Sequence, residues 1–247
     1  AQFAIKDNEI FLLEANPRAS RTAPFVSKAV GIQLAKLGAL VMSGKKIKDL
    51  DLPNRSSNKA YFSVKEAVFP FSKFPEVDVL LGPEMKSTGE VMGFGKTFGE
   101  AYFKAQRAAG VILPKEGNVF ISVRDHDKEP ICEVASELID MGFKIYATSG
   151  TFLYLTDAGI VCSKINKVKD GHPHIVDMIK NNEVHLIINT TEGARSIKDS
   201  FSIRKEAQNH KISLTTTVSG AKAFCKAIKF IDDFGAQDLK QRHESIL

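Results

Sequence analysis

From residue 119 onward the chain alternates between two kinds of segment. "VFISV", "FKIYAT", "IVCSKI", "VHLIIN" and "KISLTTT" are short, β-rich and apolar at consecutive positions. Between and after them lie helical stretches: "EPICEVASELIDMG", "TFLYLTDAG", "IVDMIKNN", "IKDSFSIRKEAQ" and "GAKAFCKAIKFI". A strand apolar at successive positions has no face to give to water, so helices must cover both sides of its sheet. Strand and helix in alternation predict a parallel sheet wound on both faces, here of five strands. Such a sheet binds ligands beyond the carboxyl ends of its strands.

Those ends share a chemistry. Ser122 follows "VFI", Thr148-Ser149-Gly150-Thr151 follow "FKIYA", Lys164 and Lys167 lie around "IVCSKINK", and Asn189-Thr190-Thr191 follow "VHLII". Hydroxyls and helix-start amides donate hydrogen bonds to a phosphate, and a lysine offsets its charge. Each position taken alone reads as a helix cap. Four such ends in a row favour phosphate binding over capping.

The chain before residue 109 has another rhythm. "QFAIK" and "EIFLLE" flank Asp7-Asn8, a pair that tolerates the positive φ of a tight hairpin turn. The run Ile10-Phe11-Leu12-Leu13 reads as a buried strand, and "EANPRASR" follows it. Glu14 and Asn16, two apart, point to one face of an extended chain. Both offer oxygen ligands for a hard cation such as Mg²⁺, and Gln2 on the paired strand offers a third. Arg18 and Arg21 can hold a phosphate in fork geometry. A surface salt-bridge loop explains the same residues equally well. Next comes "APFVSKAVGIQLAKLGALVMSG", helical in period, with Pro24 at its start, Gly31 as a break and Gly44 as a stop. Residues 50–60 read as a loop, "YFSVKEAVFPF" and "STGEVMGFG" as strands, and Thr97 to Ala109 as a helix with Phe98, Ala101, Tyr102, Ala105 and Ala109 on one side. "AGVILPKEGN" reads as a linker, which places a domain boundary at 112/113.

Several function classes drop out. The net charge of +5 is spread too evenly to argue for nucleic acid. Cys132, Cys162 and Cys225 are far apart and odd in number, which fits reduced thiols and a cytoplasmic setting. No apolar run reaches the length of a membrane span. The first five residues look like the middle of a strand with no initiator Met, so the chain is expected to be a piece of a longer one. "GFGKT" lacks the earlier glycine of a phosphate loop, since position 90 is Glu90. His172 and His174 in "GHPH" have no Cys or carboxylate at ligand spacing and read as a solvated loop.

"FLLEANPRASRTAPFVSKAVGIQLAKLGALVMSGK", "YFSVKEAVFPFSKFPEVDVLLGPEMKSTGEVMGFGKTFGEAYFKAQ" and "INTTEGARSIKDSFSIRKEA" carry a resemblance to the large subunit of carbamoyl phosphate synthetases, in its C-terminal part. The resemblance runs from Ala1 to the end. It implies an α/β chain in which residues 1–112 are the end of an ATP-grasp (α+β) domain and 113–247 a methylglyoxal-synthase-like (MGS-like) allosteric domain. By that resemblance Gln2, Glu14 and Asn16 are ligands for Mg²⁺ or Mn²⁺ beside ATP, and Arg18 and Arg21 line the same catalytic site. Ser122, Lys128, Thr148, Thr151, Lys167, Asn189, Thr190 and Thr191 match the positions that bind the effectors UMP and IMP. Glu66 and Thr216 match an ornithine site whose expected tyrosine is Leu214 here. The resemblance also implies an ATP-dependent ligase when the chain is whole, with a glutaminase small subunit as partner, no membrane and no nucleic acid. It leaves homo-oligomerisation open. The alternative is an isolated phosphate- or nucleotide-binding regulatory module without catalysis. A free methylglyoxal synthase is disfavoured, because His172 stands where its catalytic aspartate is expected.

Overall fold

In the computed structural model, residues 1–52, 61–74, 77–81, 84–233, 235, 238 and 240 are described. The expected loop at 50–60 therefore lies mostly outside the described residues. The chain divides into two compact units, Ala1–Lys59 with Gly235–Leu247, and Ala60–Phe234. The expected boundary at 112/113 lies inside the second of these units.

In the first unit, β1 (Gln2–Lys6) and β2 (Glu9–Glu14) pair antiparallel. Asp7 and Asn8 turn the corner at φ 50° and 65°, the left-handed conformation that asparagine and aspartate tolerate. Helices α1 (Thr22–Val30) and α2 (Leu34–Met42) follow, parted at Gly31, whose φ of 71° ends the first helix. Ser27 pins the elbow between them: its hydroxyl donates to the Ile32 carbonyl at 2.5 Å and accepts from the Leu34 amide at 3.4 Å. The reading of Ile10 to Leu13 as a buried strand is corrected here. Every residue of β2 is exposed, because a two-stranded ribbon has nothing on either face unless another layer covers it. Neither helix of this unit buries a side chain. Among the described residues no single helix is long and apolar enough to cross a membrane.

The second unit opens with an antiparallel pair, β3 (Phe62–Val68) and β4 (Gly89–Gly95), and α3 (Phe98–Ala108) packs on it. Thr97 caps α3 by accepting from the Glu100 amide at 3.2 Å. A glycine is needed where helix and strand approach closest: a Cβ on Gly93 would lie 1.9 Å from the Ala101 carbonyl oxygen. The buried side of α3 differs from the expected stripe: Ala101 and Ala105 are buried, Tyr102 and Ala109 are half-buried and Phe98 is exposed, while Gly99, Phe103 and Gln106 are buried as well, because the helix also packs on α9 (Val218–Ile228).

The rest is the predicted sheet. Strands β5 (Asn118–Ser122), β6 (Lys144–Ala147), β7 (Ser163–Lys164), β8 (Leu186–Asn189) and β9 (Ser213–Thr215) pair in parallel in the order β7-β6-β5-β8-β9. The strand at "IVCSKI" shrinks to two paired residues at the sheet edge. Successive side chains take opposite faces. Val119, Ile121, Leu186 and Ile188 face α4 (Lys128–Asp140), α5 (Ser149–Asp157) and α9. Phe120 and Ile187 face α6 (Ile175–Lys180) and α8 (Phe201–Asn209). Each such side chain taken wholly from water contributes about 1.5–3 kcal/mol. A further helix, α7 (Gly193–Asp199), leads from β8 to α8.

Arg204 on α8 is 2% exposed and anchors the segment after β3. Its Nε donates to Asp78 Oδ1 at 2.8 Å and its Nη2 to Asp78 Oδ2 at 2.6 Å, a bidentate fork that holds the Asp78 carboxyl below the usual carboxylate range. Gln208, one turn on, donates to the Phe71 carbonyl.

Candidate functional site

The strand order decides where the sheet can hold a ligand. The chain leaves β5 for β6 on one side and later enters β8 on the other side. The carboxyl ends of β5 and β8 thus flank the point where connections diverge, the crevice in which wound sheets bind ligands. Ser122 ends β5 and Asn189 ends β8, and the two are register partners.

A hollow of about 840 Å³ opens at this point, walled in part by Ser122, Thr148, Lys167, Asn189 and Thr190. Ser122 and Thr148 share a hydroxyl–hydroxyl bond of 3.0 Å across β5 and β6. Thr148 stands at the N-cap of α5 but makes no side-chain cap bond. Its hydroxyl is turned to Ser122, and the helix start is not capped by it. The capping explanation therefore fails at this strand end. Thr151 lies under the floor, buried, with its hydroxyl accepting from the Val123 amide at 3.2 Å. Thr190 braces the opposite wall by accepting from the Arg124 amide at 3.1 Å.

Lys128 stands just outside the wall. Its Nζ is 3.6 Å from where a Cβ on Gly150 would be, close over the first turn of α5, and pairs with Asp125 at 2.7 Å. An ammonium near the positive end of a helix dipole is unfavourable unless an anion joins them. Asp125 supplies part of that charge, and Lys128 with Lys167 in turn draws the Asp125 carboxyl below its usual range. Thr191, next to Thr190 and half-buried, does not line the hollow.

Asn189 is 2% exposed, and among the described residues its Nδ2 has no hydrogen-bond partner. A buried amide left unmade costs about 1–3 kcal/mol, so its position in the wall of a hollow calls for an acceptor.

The sequence reading missed three cations that also line the hollow, Arg124, Lys169 and Arg195. Arg124 is two residues past the end of β5, so a rule that stops at the strand end overlooks it. Arg195 sits within α7, and only the fold brings it back. Asp199 meets Lys169 at 3.5 Å across the hollow's lining. Arg195 and Lys167 make no ion pair among the described residues.

The metal-centre candidates lie in the first unit, at the open end of the hairpin. Gln2 and Glu14 are register partners, and Asn16 Nδ2 donates to Glu14 Oε1 at 3.0 Å. The structure thus gathers one carboxylate and two amides, an oxygen-rich set that suits Mg²⁺ or Mn²⁺. Arg18 follows in a turn closed by its amide to the Asn16 carbonyl at 2.8 Å, and Arg21 sits at the N-cap of α1.

Glu66 on β3 accepts from Gln106 Nε2 at 2.9 Å. Burial raises its carboxyl above the usual value, against the lowering effect of the Ala67 amide and Gln106. Burial and the Glu66 charge push the facing Tyr102 phenol up to about 12. Thr216 lies just past β9, and no hydrogen bond joins it to Glu66 among the described residues.

The reading of "GHPH" as lacking a carboxylate is overturned. Asp177, on the first turn of α6, approaches both imidazoles. The spacing argument failed because the turn after His174 brings a residue three positions on back to it.

The sheet, its order and its hollow define an MGS-like domain, and the family of that description matches residues 130–216. The whole chain has close relatives. It is 53% identical over 250 residues to the carbamoyl phosphate synthase large chain of Pseudomonas syringae pv. tomato, covering 99% of this chain and 23% of that protein. The large chain of Pseudomonas aeruginosa is 53% identical over 245 residues, and that of Xanthomonas axonopodis pv. citri 48% over 250, with the same coverage. The chain belongs to the carbamoyl phosphate synthase large-chain family. It spans 23% of the length of these relatives. Among solved structures, that of ForH aligns at 17% identity and a TM-score of 0.33, over 53% of this chain and 91% of its own, a likeness that carries no argument.

Proposed function

We propose that this chain is the C-terminal, regulated part of an ATP-dependent ligase that makes carbamoyl phosphate, working with a glutaminase small subunit in the cytoplasm. In this reading Gln2, Glu14 and Asn16 hold Mg²⁺ or Mn²⁺ beside ATP, and Arg18 and Arg21 face the transferred phosphoryl group. The cation would offset charge on the phosphates. The first unit alone carries too few groups for turnover, so the reading expects no carbamoyl phosphate from the isolated chain.

The hollow between β5 and β8 is the regulatory site, taking a nucleoside monophosphate such as UMP or IMP. Its phosphate is received by Ser122, Thr148, the α5 amides and the ammonium groups of Lys128 and Lys167. The observation that carries this reading is the buried, unpartnered Nδ2 of Asn189 in the wall. A polyanion also relieves the opposition of Lys128 to the α5 start. Calorimetric titration with UMP and IMP tests it. Saturable binding is expected, with Asn189→Leu weakening it by about tenfold or more, the loss of one buried donor. Absence of heat at millimolar nucleotide, or an unchanged affinity in Asn189→Leu, would overturn the reading.

A further inference from the structure

Outside the hollow, one cluster of side chains is arranged as metal ligands are. His172 Nδ1 lies 2.7 Å from Asp177 Oδ2, and His174 Nδ1 lies 3.0 Å from the same oxygen. One ligand atom from each of the three residues falls within 4.8 Å of the others. The two imidazole rings face each other with centroids 4.3 Å apart.

Helix capping accounts for part of this. The Asp177 amide donates to His174 Nδ1 at 3.4 Å, and the His174 amide donates to Asp177 Oδ2 at 2.8 Å, a reciprocal capping box. The box creates a conflict of its own. A His174 Nδ1 that accepts a hydrogen bond presents a lone pair, and that lone pair faces a carboxylate oxygen at 3.0 Å. Two acceptors at that distance repel unless a proton or a metal cation stands between them. His172 lies outside the box and brings a third ligand atom to the same point.

We propose that His172, His174 and Asp177 form a site for a divalent transition metal of the zinc type. Two imidazole nitrogens and a carboxylate oxygen are three of the four ligands of an open tetrahedral zinc site. Zinc bonds of about 2.0–2.1 Å in tetrahedral array space their ligand atoms by roughly 3.3 Å, so the two imidazole–carboxylate gaps must open by about half an ångström or less, within a trio whose atoms all lie within 4.8 Å of one another. His172 has the freedom to move, being 77% exposed, and its outer side leaves a coordination position for water. A proton held by the nitrogen that the metal takes passes to solvent as the bond forms.

The position gives the ion a structural consequence. His174 bridges to Asn166, and Asn166 Nδ2 donates to the Gly171 carbonyl at 3.3 Å. The segment between them carries Lys167 and Lys169, which line the hollow. A metal at its base would staple that segment. The site itself rests on the geometry of the three side chains and not on the effector reading.

The test is a calorimetric titration of the untagged 247-residue chain with ZnCl₂ in a non-chelating buffer, repeated with Co²⁺ by visible absorption. One equivalent should bind at micromolar concentration, with Co²⁺ giving the intense bands of a four-coordinate site. His172→Ala, at an exposed position that does not disturb the fold, should weaken binding more than about tenfold, since even an outer-shell partner of a metal is worth that much. His126→Ala, between two aspartates elsewhere, should leave it unchanged. The proposal is overturned if no saturable binding occurs up to about 100 µM. It is also overturned if His172→Ala binds as the parent does, or if His126→Ala abolishes binding.

Discussion

The hairpin of the first unit and the central strands of the second are equally apolar in sequence and opposite in burial. Ile5, Ile10 and Leu12 are 73%, 71% and 62% exposed, whereas Leu186, Ile187 and Ile188 are fully buried. Composition does not separate "IFLL" from "LII". What separates them is the supply of covering layers. β8 lies between β5 and β9 and under helices on both faces. Among the described residues β2 has one strand neighbour, and every residue of β2 is exposed. Hydrophobic strands report a demand for a partner, and the described residues meet that demand in the sheet of the second unit and not at the hairpin.

Paired truncations break or sharpen this contrast most strongly. Ile188→Ala in the sheet core should cost about 3–5 kcal/mol of unfolding free energy by chemical denaturation. Leu12→Ala in the hairpin should cost less than about 0.5 kcal/mol. Similar losses at both would show that the hairpin is packed in solution.

The Asp78–Arg204 fork comes next. Asp78→Asn leaves the buried guanidinium without its counter-charge and should cost about 3 kcal/mol. Arg204→Met should cost less, because Asp78 is more exposed and can turn to water. The acid response follows from the sign of the Asp78 shift. Its folded pKa lies below the ordinary 3.8, first through the Arg204 hydrogen bond, so the stabilisation is present above that value and lost as pH falls through the folded pKa. Asp78→Asn should lose that component of the acid dependence, measured as unfolding midpoint between pH 5 and pH 2.

Glu66 should show the smallest effect and the opposite sign. Its folded pKa is raised, chiefly by burial, so its contribution is favourable below 4.5 and is lost as pH rises through the folded value. Glu66→Gln keeps an acceptor for Gln106 and removes the buried charge. Its unfolding midpoint should rise modestly over the parent at pH 7 and match it at pH 4. A fall at pH 7 would mean that the charge has a partner the described residues do not reveal.

Much of the second unit was legible in the sequence because the centres of its main strands, Val119 to Ile121 and Leu186 to Ile188, are apolar at consecutive positions and its turns are punctuated. Five strands and their parallel sense follow from that pattern, and so does the placing of Ser122, Thr148 and Asn189 at strand ends around one hollow. The edge strand at Ser163 was overread, since "IVCSKI" has strand composition while only two residues find a neighbour. The packing of α3 on α9 was not legible, because Gly99 looks neutral until the Lys226 carbonyl is seen beside it. Arg195 and Asp177 were missed for a related reason. Each reaches its cluster through a helical turn, and spacing rules built for strand ends or metal motifs do not follow the chain round that turn.

The central claim is that one anion is received where β5 and β8 diverge. It is tested most directly by two-dimensional amide NMR of the chain during addition of UMP. The account predicts shifts concentrated at Ser122 to Arg124, Thr148 to Thr151, Lys167 to Lys169 and Asn189 to Thr190, with the hairpin from Gln2 to Glu14 unmoved. Resonances that stay still across those segments at millimolar UMP, or that move only elsewhere in the chain, would contradict it.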